Sequence, residues 1–112
     1  MSEFLYVYRG GNREQSPAEL QKQMQRWMTW MKELGEKGHI KNQGHPLDRT
    51  GAVVSGKAKT VTDGPFAEKD IVGGYSLVEA KDLAQATELS KGCPILDFGG
   101  AVEIRPIMKL GA

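Results

Sequence analysis

Apolar side chains fall on both faces of residues 3–8, with Phe4, Tyr6 and Tyr8 on one and Leu5 and Val7 on the other. That is the period of a β-strand. Two apolar faces mean that both are expected to be covered. Arg9-Gly10-Gly11-Asn12 breaks the strand, and from Ser16 the period changes. Leu20, Met24, Trp27, Met31 and Leu34 recur at spacings of four and three, with Met28 and Trp30 widening the stripe. This predicts an amphipathic helix. Ser16 is its expected cap, Pro17 suits its first position and Glu19 completes a capping box. Gly35 and Gly38 are expected to end it.

Residues 39–62 read as short strands joined by turns, with Ala52-Val53-Val54 and Ala58 to Thr62 flanking a Ser55-Gly56-Lys57 turn. Residues 71–80, β-branched and aromatic, predict the strongest strand. Within it, Gly73-Gly74 suggests a bulge or a close approach of another backbone. Asp82 is expected to cap a second helix through about Lys91, which Gly92-Cys93-Pro94 stops. Ala101 to Ile107 closes the chain as a strand with Val102 and Ile104 alternating against Glu103 and Arg105. Strand, helix, strands, helix, strand predicts an α+β fold, a ferredoxin-like split βαβ sandwich, with residues 1–112 as a single domain. Helices cover one sheet face in such a fold. The two-sided first strand therefore predicts a second copy against the other.

Composition narrows the function classes. A net charge of +1 makes no electrostatic case for direct nucleic-acid binding. No apolar run approaches the roughly 20 residues of a membrane-spanning helix, and no secretory signal is expected at the N-terminus. The single cysteine fits a reducing cytoplasm.

The most informative stretch is Thr62-Asp63-Gly64-Pro65-Phe66-Ala67-Glu68, ahead of Gly73-Gly74-Tyr75. Asp-Gly-Pro is turn chemistry, but this loop adds a large aromatic and further carboxylates. With Phe4 to Tyr8, Ser16-Pro17-Ala18-Glu19, Lys37-Gly38-His39-Ile40, Gly44-His45-Pro46-Leu47, Gly92 to Leu96 and Gly99 to Ile107, it resembles the DGPF branch of the YCII-related proteins. The resemblance implies small bacterial proteins that form dimeric α+β barrels, mostly with no assigned reaction. In better studied YciI-like relatives a first-helix histidine and a following aspartate form a proposed acid–base dyad. Counted back from Glu36-Lys37-Gly38, that histidine falls near Trp27, which moves no protons, so the dyad does not carry over.

His39 and His45 are the only histidines, and their spacing, with Cys93 far away, matches no zinc pattern. No metal or cofactor is expected. No glycine pair forms a nucleotide-binding loop, and neither Ser16 nor Ser55 has a histidine at a spacing that suggests nucleophilic catalysis. His39, after the helix-ending glycine, reads as structural or solvated. His45, in a turn between Gly44 and Pro46, is either turn packing or a functional imidazole. Asp63 is either a turn aspartate or a carboxylate projecting into a cleft, and His45 with Asp63 is the candidate catalytic pair. Glu68 is solvated or a ligand contact, and Phe66 anchors the loop to the core or joins the site. Trp27 and Trp30 belong to the helix stripe, with one of them a possible pocket wall. Tyr6, Tyr8 and Tyr75 are expected to share the partner-facing side of the sheet with Glu103 and Arg105, forming an aromatic pocket. Two functions follow: binding of a small organic acid, with or without lyase- or isomerase-type turnover, or a non-catalytic partner of an extracytoplasmic-function sigma factor. The latter is implied by the resemblance alone.

Overall fold

The structure, a computed structural model, describes residues 1–11, 16–66 and 69–110. Its elements run β1 (Ser2–Gly10), α1 (Pro17–Glu36), β2 (Ile40–Asn42), β3 (Gly51–Ser55), β4 (Thr60–Gly64), β5 (Val72–Ala80), α2 (Leu83–Ser90), a 3₁₀ helix (Pro94–Phe98) and β6 (Gly100–Pro106). Four strands form an antiparallel sheet in the order β2-β5-β1-β6. With one helix after β1 and another after β5, this is the split βαβ arrangement of an α+β fold. β3 and β4 form a separate hairpin inserted between β2 and β5.

Alternation on the two central strands fixes which side is the core. Phe4, Tyr6 and Tyr8 on β1 and Gly74, Ser76, Val78 and Ala80 on β5 are buried, while their neighbours are only partly so. Phe4 sits opposite Val78, and Tyr6 opposite both Ser76 and Ile104. The helices supply Trp30, Leu34 and Ala86 to the same core. Tyr6 stacks on Trp30 at 6.1 Å and donates its hydroxyl to the Ala86 carbonyl of α2, so one phenol ties together strand and both helices. Tyr6 and Tyr8 therefore face the helices, which corrects their expected place beside Glu103 and Arg105. A period of two puts both tyrosines on one face, but helix packing decides which face that is. Leu5, Val7, Tyr75 and Leu77 take the opposite, part-exposed face.

The helix caps form as the sequence predicts. Glu19 N–H donates to Ser16 Oγ at 3.2 Å. Asp82 Oδ1 accepts from Gln85 N–H at 2.8 Å, while Gln85 Oε1 accepts from Lys81 N–H at 2.6 Å. One orphan donor of α2 and the N–H just ahead of its cap are thus satisfied reciprocally. Asp82→Ala is expected to lower stability by about 1 kcal/mol, read from the urea denaturation midpoint. An unchanged midpoint would contradict the role. Helix α1 runs through Gly35 instead of ending there, and Gly38, at φ +78°, makes the turn out of the helix. His39 is buried, with Nδ1 on the Glu79 carbonyl at 2.8 Å, and it stitches the α1 exit to the end of β5.

The hairpin departs most from expectation. Ser55 pairs with Thr60, so the turn is residues 56–59 and β4 extends through Asp63 to Gly64. Asp63 is therefore a strand residue, exposed and opposite Ala52, not a turn aspartate. Phe66, past the cis Gly64–Pro65 peptide, is 66% exposed and anchors nothing to the core of this chain. Val54 and Val61 face each other across the hairpin and are exposed as well. The radius of gyration, 15.8 Å, exceeds the about 13 Å of a compact chain of this length. The hairpin is an arm extending from the body.

Candidate functional site

The N-terminal half of α1 stands off the sheet. Leu20 and Met24 belong to its apolar stripe yet are 47% and 64% exposed. Between this half-helix and the sheet lies a cleft of about 640 Å³, within the range of small-molecule sites. Leu20, Gln23, Met24, Trp27 and Met31 form its helical wall. The ends of β1 and β5 form its floor, through Tyr8, Gly10, Gly11 and Gly73 to Ser76. Residues 43–46 close one side, and Ile95 of the 3₁₀ helix another.

The 43–46 loop is held by the sheet itself. Tyr75 N–H donates to the His45 carbonyl at 3.3 Å, and Leu47 N–H to the Gly73 carbonyl at 2.9 Å. The loop thus prolongs the pairing of β2 with β5, with Pro46 bridged to Gly74. Glycines permit the approach. A side chain at Gly74 would meet the His45 carbonyl oxygen at 3.1 Å, and one at Gly44 would overlap the Tyr75 carbonyl. Gly44 also has φ +71°, a left-handed conformation that costs other residues energy. The register between β1 and β5 shifts next to Gly73. The sequence suggested a bulge or a close approach at the glycine pair, and both occur.

At the floor, Tyr8 packs edge-to-face on Trp27 with ring centroids 4.7 Å apart. Trp27 meets Trp30 in turn at 5.7 Å, so the cleft wall is continuous with the aromatic core. The Tyr8 hydroxyl donates to Ser76 Oγ at 2.8 Å, and Ser76 donates to the Gln43 carbonyl at 2.6 Å. Burial pushes the Tyr8 phenol well above its ordinary pKa, so it keeps its proton. At the mouth, the exposed His45 ring meets Tyr75 at 6.2 Å, nearly edge-on. Its nitrogens have no hydrogen-bond partner among the described residues.

Of the residues singled out in the sequence, Tyr8, Trp27, His45 and Tyr75 are brought together in this cleft, and the others are not. Tyr6 lies deeper in the core. Asp63 and Phe66 belong to the arm and its base, and Glu68 falls outside the described residues. Glu103 is engaged on the other face of the sheet, where its carboxylate accepts from Arg9 Nε at 2.8 Å and from Arg105 at 3.4 Å. The Arg9 hydrogen bond holds the Glu103 carboxyl below its usual range. Glu103 and Arg105 are therefore paired within one chain, away from the cleft. Asp63, the candidate partner of His45, sits on the arm and is not among the residues lining the cleft.

Sequence reasoning missed Gln43, Gly44, Met24, Met31 and Ile95 as lining. Only the glycine pair in β5, with its hint of an approaching backbone, pointed toward that wall. A smaller cavity of about 260 Å³ adjoins at Gly10 and Gly11 and carries Asp48, Arg49 and Lys69. Among the described residues no cluster of histidine, cysteine, aspartate and glutamate has the arrangement of a metal site. Cys93 is buried, and its thiol is pushed up to about 12 by desolvation, which suits a small apolar core residue better than a nucleophile.

A search of curated proteins returns no match. The sequence profile of the YCII-related domain does match, over residues 4–110, taking in both helices, most of β1, the whole of β2 to β6 and every residue lining the cleft. The chain belongs to the YCII-related family.

Proposed function

We propose that the protein is a homodimeric small-molecule-binding protein whose ligand occupies the cleft between α1 and the sheet. The observation that carries this reading is the cleft's composition. Aromatic, thioether and aliphatic walls surround one buried polar pair, Tyr8 and Ser76, with one imidazole at the mouth. A few convergent polar groups in an apolar pocket are the usual constitution of a ligand site. Binding is favoured over lyase- or isomerase-type turnover because no carboxylate among the described residues orients His45. The Tyr8 proton is likewise held by burial.

Two features support the homodimer. Leu5, Val7 and Leu77 present an apolar strip on the sheet face away from the core. An isolated two-stranded hairpin is marginal in water, and this arm exposes Val54 and Val61, which a second copy would cover. The Asp63-Gly64-Pro65-Phe66 sequence, where β4 ends at the base of the arm, favours the DGPF branch of the family. A cytoplasmic location belongs to the same proposal, supported by the one buried, unpaired thiol. No helix among the described residues is long and apolar enough to cross a membrane.

Native mass spectrometry of freshly purified protein tests both parts. A dimer carrying a stoichiometric extra mass is expected, with that mass lost in Trp27→Ala while the dimer persists. A bare monomer would overturn the dimer. A mass unaffected by Trp27→Ala would place the ligand elsewhere.

A further inference from the structure

We propose that the cleft selects an uncharged, planar aromatic molecule that offers one hydrogen-bond donor to the Tyr8 oxygen; this rests on the binding-cleft reading above and adds the ligand's class. The first argument is charge. Among the described residues lining the cleft there is no lysine, arginine, aspartate or glutamate. A carboxylate desolvated on the cleft floor would meet no lysine or arginine among the described lining residues, with His45 standing at the exposed mouth, and unpaired buried charge is strongly disfavoured. The nearest cations in an adjoining cavity, Arg49 and Lys69, lie beyond Gly10 and Gly11.

The second argument is shape. Trp27 stands edge-on to Tyr8, and the helical wall continues through Met24 and Met31. Flat rings pack favourably on aromatic edges and faces and against thioether sulfur.

The third argument is the direction of the hydrogen bonds. A backbone carbonyl only accepts, so the 2.6 Å contact between Ser76 Oγ and the Gln43 oxygen uses the serine proton. The 2.8 Å contact between Ser76 and Tyr8 then needs a proton from Tyr8. Both hydroxyl protons are committed, and Tyr8 has only lone pairs left for a ligand. The partner that suits it is a donor, such as a phenol O–H or a ring N–H.

Three bicyclic probes of nearly the same shape separate these features: 2-naphthol, 2-methoxynaphthalene and 2-naphthoate. Their affinities are compared at neutral pH by titration calorimetry, with tryptophan fluorescence as a second readout. Binding of 2-naphthol is expected to be roughly fivefold tighter than that of the methoxy compound and at least about tenfold tighter than that of the anion. In Tyr8→Phe the advantage of 2-naphthol over the methoxy compound is expected to vanish, while the affinity for the methoxy compound persists and shows that the cleft is intact. If 2-naphthoate binds as tightly as 2-naphthol, and binding is lost in Trp27→Ala, the ligand class is wrong while the cleft stands. If 2-naphthol and its ether bind equally to the wild type, the donor argument fails. If none of the three binds and the native spectrum shows a bare dimer, the binding-cleft reading fails as well.

Discussion

Trp30→Ala is expected to cost about 3–5 kcal/mol, the usual range for deleting a buried large aromatic side chain. Its indole is 6% exposed. It stacks nearly parallel to Tyr6 at 6.1 Å and meets Tyr8 edge-on at 6.3 Å. Its Nε1 donates to the Leu89 carbonyl at 3.3 Å, joining α1 to α2 over the sheet. Alanine would leave a cavity at the junction of both helices and β1, and would remove the side-chain donor to the Leu89 carbonyl, leaving it only the backbone N–H groups at the end of α2. Domains of this size are stable by roughly 5–15 kcal/mol, so the variant would lose a large share of its margin. Urea denaturation measures this directly: a midpoint lowered by less than about 0.5 M, at typical slopes of 1–3 kcal/mol per molar, would show that the ring is not the keystone described. Trp27, one helical turn away, makes an instructive contrast. It is only half-buried, so its loss should affect ligand binding far more than folding.

Gly44→Ala is the second large effect. Two penalties coincide at this position. A left-handed backbone costs a residue with a Cβ about 1–2 kcal/mol, and the added methyl would overlap the Tyr75 carbonyl, so the loop must move. Moving it breaks the Tyr75–His45 and Ser76–Gln43 hydrogen bonds and opens the side wall of the cleft. A total of about 3 kcal/mol or more is expected, together with loss of bound ligand. Gly38→Ala is the control. Gly38 has a similar φ, +78°, but nothing lies within 4 Å of a Cβ placed there, so only the backbone penalty applies. Equal destabilisation of the two variants would mean that the loop does not press on β5 as described.

Much of the architecture was legible because it is written in local terms. The capping residues Ser16 and Asp82 and the long apolar period of α1 act within a few residues of themselves, and the helices begin where those residues stand. The β-branched, aromatic run at 71–80 likewise became the central strand β5. Less legible was whatever depends on two local preferences competing. Gly35 reads as a helix end, yet the helix continues through it, because one glycine costs about 1 kcal/mol and Leu34 beneath it is buried in the core. The hairpin turn moved downstream because the pairing of Val54 with Val61 sets the register, and a turn signal at Gly56 does not specify which residue follows it.

The candidate site was legible only in fragments. Tyr8, Trp27, His45 and Tyr75 were each visible as aromatic or ionisable residues, but their separation along the chain, on four different segments, hides that they converge. The same holds for residues that were wrongly grouped with them. Glu103 has the right chemistry and the wrong side of the sheet, Tyr6 shares the face of Tyr8 but is buried deeper in the core, and Asp63 was carried away on the arm.

By itself, then, the sequence determined the split βαβ order, the helix starts and the family, since these rest on spacing and on residue chemistry acting over short range. Tertiary structure decided which face of β1 became the core and that α1 stands off the sheet at its first turns. It also decided that Gln43 to Pro46 lie beside β5. Each of those outcomes depends on long-range packing of surfaces that the sequence leaves equivalent, and a strand with two apolar faces has no local reason to prefer either.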